Sequence, residues 1–80
     1  MYDLIYEPKV EKSIRKLKKK DPALAKQLWK KLVEIHQNPE HFKPLRGSEF
    51  GKRQTHVGSF VVKFVLRGNL IKILEFEHHA

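Results

Sequence analysis

The sequence predicts an α+β fold of order β-α-α-β-β-β, with a two-helix hairpin laid on a small, mostly antiparallel sheet. Three observations carry this. The first half holds two stretches with apolar residues at helical spacing. The second half holds three strand-like stretches, near 52–57, 59–66 and 70–77. Gly58-Ser59 and Gly68-Asn69 separate those stretches as two-residue hairpin turns.

Each element has a local reason. Tyr2, Leu4 and Tyr6 alternate with polar neighbours, which reads as a short first strand. Pro8 suits the first turn of a helix, where its missing N–H is no loss. Val10, Ile14 and Leu17 then form one apolar stripe among lysines, and Lys18-Lys19-Lys20 sit where the helix dipole favours cations. Asp21-Pro22 restarts a helix as N-cap and first residue. Leu24, Leu28, Leu32 and Ile35 make its stripe, Trp29 and Val33 widen it as core residues, and Asn38-Pro39 ends it. Residues 39 to 51 contain two prolines and two glycines and read as a loop. Helices that each bury one stripe pack best as a hairpin against a sheet.

The chain of 80 residues is read as a single domain, 1–80, near the lower size limit for one unaided hydrophobic core. It has no cysteine, which excludes disulfides and thiolate metal sites. The amino-terminal residues lack a signal-peptide apolar region, and no apolar run is long enough to span a bilayer. A cytoplasmic protein without membrane contact is therefore expected. A net charge of +8, from 17 Lys and Arg against 9 Asp and Glu, favours polyanionic partners over the alternative of a merely solvated basic surface. Ten of the 17 cations lie between Lys9 and Lys31. A DNA-reading helix-turn-helix is a poor match, because the outer face of the second helix carries Lys26, Lys30 and Lys31, which supply charge but little base readout.

Strand alternation assigns faces if both turns hold two residues. Phe60, Val62, Phe64 and Leu66 should cover the helices. Val57 then pairs with Phe60, His56 with Val61 and Gln54 with Lys63. The last strand would pair Val61 with Phe76 and Ser59 with His78. The open face would hold Lys52, Gln54, His56, Lys63 and His78, with His56 and His78 roughly 10 Å apart. This register has a cost: it turns Glu75 and Glu77 toward the helices. A bulge or a three-residue turn would reverse the last strand and exchange the roles of His78 and His79.

Taken together, the element order, Lys43-Pro44-Leu45-Arg46-Gly47, His56-Val57-Gly58-Ser59-Phe60-Val61-Val62 and the ending Leu74-Glu75-Phe76-Glu77-His78-His79 resemble the RelE/ParE superfamily of toxins from toxin–antitoxin systems. The resemblance covers nearly the whole chain, and its pattern is nearest the histidine-using YafQ-like branch. It implies a ribosome-dependent mRNA endonuclease, or mRNA interferase, that inhibits translation and is neutralised by a cognate antitoxin. The histidines that matter in that branch match His56 and His78, with His79 a further catalytic candidate. Many members carry an arginine where this chain has Val61. The branch's acidic residue after the turn meets Ser59-Phe60, and its aromatic residue beyond the terminal histidine has no counterpart before Ala80.

Metal-free RNA cleavage needs a base for the 2′-OH, cations for the pentacoordinate phosphorane and an acid for the 5′-oxygen. Histidine suits both proton roles. His56, His78 and His79 are the catalytic candidates. Arg46, Lys52, Arg53, Gln54 and Lys63 are the candidates for RNA binding, and Phe76, otherwise a core residue, for stacking on a base. No cofactor and no metal is expected: His78-His79 has no third ligand at convincing spacing. His36 reads as a contact to the helix dipole and His41 as an inert loop residue. The expected partners are an acidic antitoxin, the ribosome and mRNA. The alternatives are a ParE-like gyrase-inhibiting toxin and a catalytically weak antitoxin-binding module.

Overall fold

The structure is a computed structural model and describes residues 1–78. Strand β1 (Asp3–Tyr6) leads into helices α1 (Pro8–Lys20) and α2 (Pro22–Gln37). Two 3-10 turns follow, Pro39–His41 and Gly47–Glu49, and then β2 (Lys52–Val57), β3 (Phe60–Arg67) and β4 (Leu70–His78). The strands form one sheet in the order β1-β4-β3-β2, with β1 parallel to β4 and the other pairs antiparallel. The predicted order and architecture are those observed.

Local chemistry explains the boundaries. Pro8 and Pro22 open the helices, and the Asp21 carboxylate accepts a hydrogen bond from the Leu24 N–H at 3.1 Å. Lys18, Lys19 and Lys20 close α1. Gly58 and Gly68 take φ of 59° and 58° at the first turn position, while no non-glycine residue among those described has positive φ. That is the arrangement of a II′ hairpin turn. Gly58 is further constrained because a β-carbon there would lie 3.0 Å from Leu24 Cδ1.

The helices cover one face of the sheet. Val10, Leu17, Leu28, Leu32 and Ile35 meet Val57, Val62, Phe64, Ile71, Ile73 and Phe76 in one core, with Tyr2, Leu4 and Tyr6 packed against it. Trp29 departs from the expected core and is 64% exposed on the outer surface of α2. The stripe at Leu28, Leu32 and Ile35 already fills the contact with the sheet, so the neighbouring position turns outward. The loop covers the outer edge of β2: the Leu45 N–H donates to the Lys52 carbonyl at 2.8 Å, and Pro44 bridges Arg53.

The register of β4 differs from the simple two-residue expectation. Arg67 pairs with Leu70 as predicted, but the ladder shifts between Lys63 and Phe64, whose partners are Glu75 and Ile73. Leu74 is thus the extra residue of a β-bulge. Val61 consequently faces Glu77 rather than Phe76, and Phe60 rather than Ser59 faces His78. The cause lies in the sequence of β4. Ile71, Ile73 and Phe76 all belong to the core, yet the step from 73 to 76 is odd. Strict alternation would have buried Glu75 and Glu77 without partners, and the bulge avoids that desolvation cost.

Candidate functional site

Opposite the helices, at the end of the sheet near the Gly58-Ser59 turn, a groove of about 170 Å³ is lined by Gln54, His56, Val61, Lys63, Glu75, Glu77 and His78. Antiparallel pairing sets its floor: Gln54 lies against Lys63, His56 against Val61, and Val61 against Glu77. Val61 is itself only 8% exposed, so the polar side chains around it form the accessible surface.

The bulge places His78 in register with the covered face, opposite Phe60, and their rings meet edge to face at 5.3 Å. At the sheet's end this position still reaches the groove, which His78 lines together with a second cleft bounded by Ser13, Lys16 and Lys20 of α1. His56 and His78 therefore share one groove, by a route other than the predicted alternation. His79 lies outside the described residues.

The remaining candidates divide by face. Gln54 and Lys63 line the groove, and Lys52 lies one pair beyond, opposite Val65. Arg46 is exposed at the start of the Gly47–Glu49 turn and does not line it. Arg53 lies on the other face of β2 from Gln54 and His56. Opposite Phe64 on the covered face, its guanidinium donates to the Phe42 carbonyl at 2.6 Å and the Glu40 carbonyl at 3.4 Å. Phe76 does not line the groove either. It is 5% exposed, stacks on Phe60 with centroids 4.8 Å apart and belongs to the core, where it also lines the second cleft beside α1. Away from the groove, His36 Nε2 lies 2.7 Å from the Tyr2 carbonyl, tying α2 to the segment before β1. His41 packs edge-on against Phe42.

Three carboxylates that no sequence motif singles out complete the groove and its margin. Glu49 Oε2 lies 3.4 Å from both Lys52 Nζ and Lys63 Nζ, and Lys63 Nζ is also 3.6 Å from Glu75 Oε2. Glu77 stands across Val61 from His56. Occlusion from water works against the Glu49 charge, but Lys63 and Lys52 outweigh it and hold the carboxyl below its ordinary range. Desolvation also opposes the Lys63 charge, and Glu49 and Glu75 more than compensate, raising its pKa. For Glu75 and Glu77 the available signal was the bulge argument; for Glu49, on a loop, there was none. Among the described residues no three His, Asp or Glu side chains form a metal-holding group.

No family model matches the chain. A curated relative from Methanocaldococcus jannaschii, "Putative toxin RelE4", is 35% identical over 82 residues, covering 99% of this chain and 87% of that protein. The chain belongs to the RelE/ParE superfamily of toxins. Solved members share its fold. A chain of the YoeB–YefM complex from Staphylococcus aureus superposes with a TM-score of 0.82 at 14% identity, covering 100% of this toxin and 99% of that chain. A chain of the E. coli DinJ–YafQ complex gives 0.73 at 21% identity, with 99% and 94% covered. Among the described residues of this toxin, no helix is long and apolar enough to cross a membrane.

Proposed function

We propose that this RelE/ParE toxin is a ribosome-dependent mRNA endonuclease that works without metal. The observation that carries the reading is the convergence of His56 and His78 on one groove that also holds Lys63. One imidazole removes the proton of a ribose 2′-OH. The 2′-oxygen attacks the adjacent phosphorus, and the bond to the 5′-oxygen breaks. The second imidazole protonates that leaving oxygen, so the products are a 2′,3′-cyclic phosphate and a 5′-OH. Lys63 offsets the charge of the pentacoordinate phosphorane, a role in which many relatives use an arginine at the position of Val61. Gln54 supplies a neutral donor and acceptor at the groove wall.

The partner that suits the surface is an acidic antitoxin segment that orders on binding. Solved neighbours of this fold occur as YoeB–YefM and DinJ–YafQ complexes. Here an apolar groove of about 270 Å³ runs between α1 and α2, lined by Ile14, Leu28, Trp29 and Leu32 and flanked by Arg15 and Lys18. Apolar side chains beside cations match an amphipathic acidic helix. The protein is read as acting in the cytoplasm, where ribosomes and mRNA are.

The test is a purified translation system in which mRNA ends are mapped. Cleavage that requires ribosomes and falls on the order of a hundredfold in His56→Ala supports the proposal. Growth arrest of expressing cells with DNA supercoiling defects and intact mRNA would point to a gyrase-directed toxin. Antitoxin binding without any toxicity would point to a binding module.

A further inference from the structure

The groove's margin already contains an anion held as a phosphate would be held. Glu49 Oε2 sits 3.4 Å from two ammonium groups, Lys52 Nζ and Lys63 Nζ. The same oxygen is shut off from water and has no well-directed hydrogen-bond donor among the described residues, so charge pairing is what satisfies it. The region is also self-compensated. Glu49, Glu75 and Glu77 set three carboxylates against two lysines, in a chain whose net charge is +8. A polyanion approaching Lys63 meets a site that is already filled.

Apart from its ion pairs, little in the packing anchors the segment carrying Glu49. None of Gly47, Ser48 and Glu49 is buried, and Phe50 beside them is 85% exposed, so no apolar side chain pins the turn to the core. Gly47 and Gly51 bracket it with φ of 69° and 94°, where a β-carbon would meet nothing within 4 Å. One turn hydrogen bond, from the Phe50 N–H to the Gly47 carbonyl at 3.0 Å, lies within the segment and moves with it. When Glu49 departs, Lys63 keeps Glu75 at 3.6 Å and so stays directed into the groove.

We propose that Glu49 is an internal stand-in for an RNA phosphate: its carboxylate fills the place between Lys52 and Lys63 and is displaced by the backbone of the bound strand. This rests on the mRNA-cleaving reading of the groove and names the residue that sets its affinity. Exchange of one anion for another gives little net Coulomb energy. Free RNA therefore binds weakly, and only a strand positioned by other contacts wins the exchange.

The probe is a fluorescein-labelled 2′-O-methyl RNA oligonucleotide, which lacks the attacking hydroxyl, followed by anisotropy across a salt series. Glu49→Gln is compared with Glu34→Gln, which makes the same change in net charge on α2, where Glu34 pairs with Lys31 at 2.9 Å. Glu49→Gln is expected to bind roughly tenfold tighter than wild type with a steeper salt dependence, whereas Glu34→Gln stays within about twofold. Glu49→Ala repeats the test with a shorter side chain, and adding Lys63→Met should abolish the gain. Equal gains in Glu49→Gln and Glu34→Gln, or unchanged or weaker binding in Glu49→Gln while wild type binds, overturn the inference and leave the nuclease reading standing. No RNA binding by any variant, together with uncut mRNA on ribosomes, overturns both.

Discussion

The two faces of the sheet use the same four strands for opposite ends. The covered face is apolar and closely packed, with Val62, Phe64 and Ile71 fully buried under the helices. The open face, at the end near His56, is a balance of charges in which each lysine is already matched by a carboxylate. Most of the positive charge lies on neither face, since ten of the 17 cations belong to residues 9 to 31, within the helical hairpin. Under the proposed function the difference separates two tasks: the hairpin's field would draw a polyanion in, and the compensated groove would act only on a strand that displaces its internal anion.

The face a residue occupies should therefore decide what its loss does. The largest effect is expected at Phe76, where Phe76→Ala should cost about 3–5 kcal/mol in urea unfolding, against about 0.5 kcal/mol or less for the exposed Trp29→Ala. Equal losses would break the assignment of Phe76 to the core. Arg53→Ala comes next. Loss of its hydrogen bonds to the Phe42 and Glu40 carbonyls should destabilise by about 1–3 kcal/mol while cleavage per folded molecule is kept. A selective loss of RNA affinity would return Arg53 to the binding surface.

The smallest effect concerns acid. The Glu49 carboxyl is depressed in the folded state, so its contribution to stability is present above its ordinary unfolded pKa. That contribution is lost as pH falls through the lower folded value. Glu49→Gln should flatten this part of the acid limb of the stability curve without moving the neutral-pH midpoint far. An unchanged acid limb would mean that the ion pairs to Lys52 and Lys63 contribute nothing to folding.

Much of this was legible in the sequence because periodicity is a local property. The stripe at Val10, Ile14 and Leu17, the Asp21-Pro22 restart and the glycine turns each specify an element without reference to the rest. The placement of Gln54, His56 and Lys63 followed from alternation alone. The face of Arg53 followed from it too, since a residue between Lys52 and Gln54 must face the helices. The bulge at Leu74 was harder, because it answers a tertiary demand that Ile73 and Phe76 both reach the core. Its trace was the unfavourable burial otherwise forced on Glu75 and Glu77. Glu49 had no periodic signal, since its position depends on how a glycine-bracketed loop folds back over β2 and β3.

Steady-state cleavage on programmed ribosomes distinguishes chemistry in the groove from recruiting charge on the hairpin. His56→Ala should be compared with the triple variant Lys12→Gln, Lys16→Gln, Lys19→Gln. His56→Ala should lower kcat on the order of a hundredfold with KM little changed, while the triple variant should raise KM about tenfold and keep kcat. A fall in kcat for the triple variant as deep as that for His56→Ala, or an unaltered kcat in His56→Ala, would contradict that division.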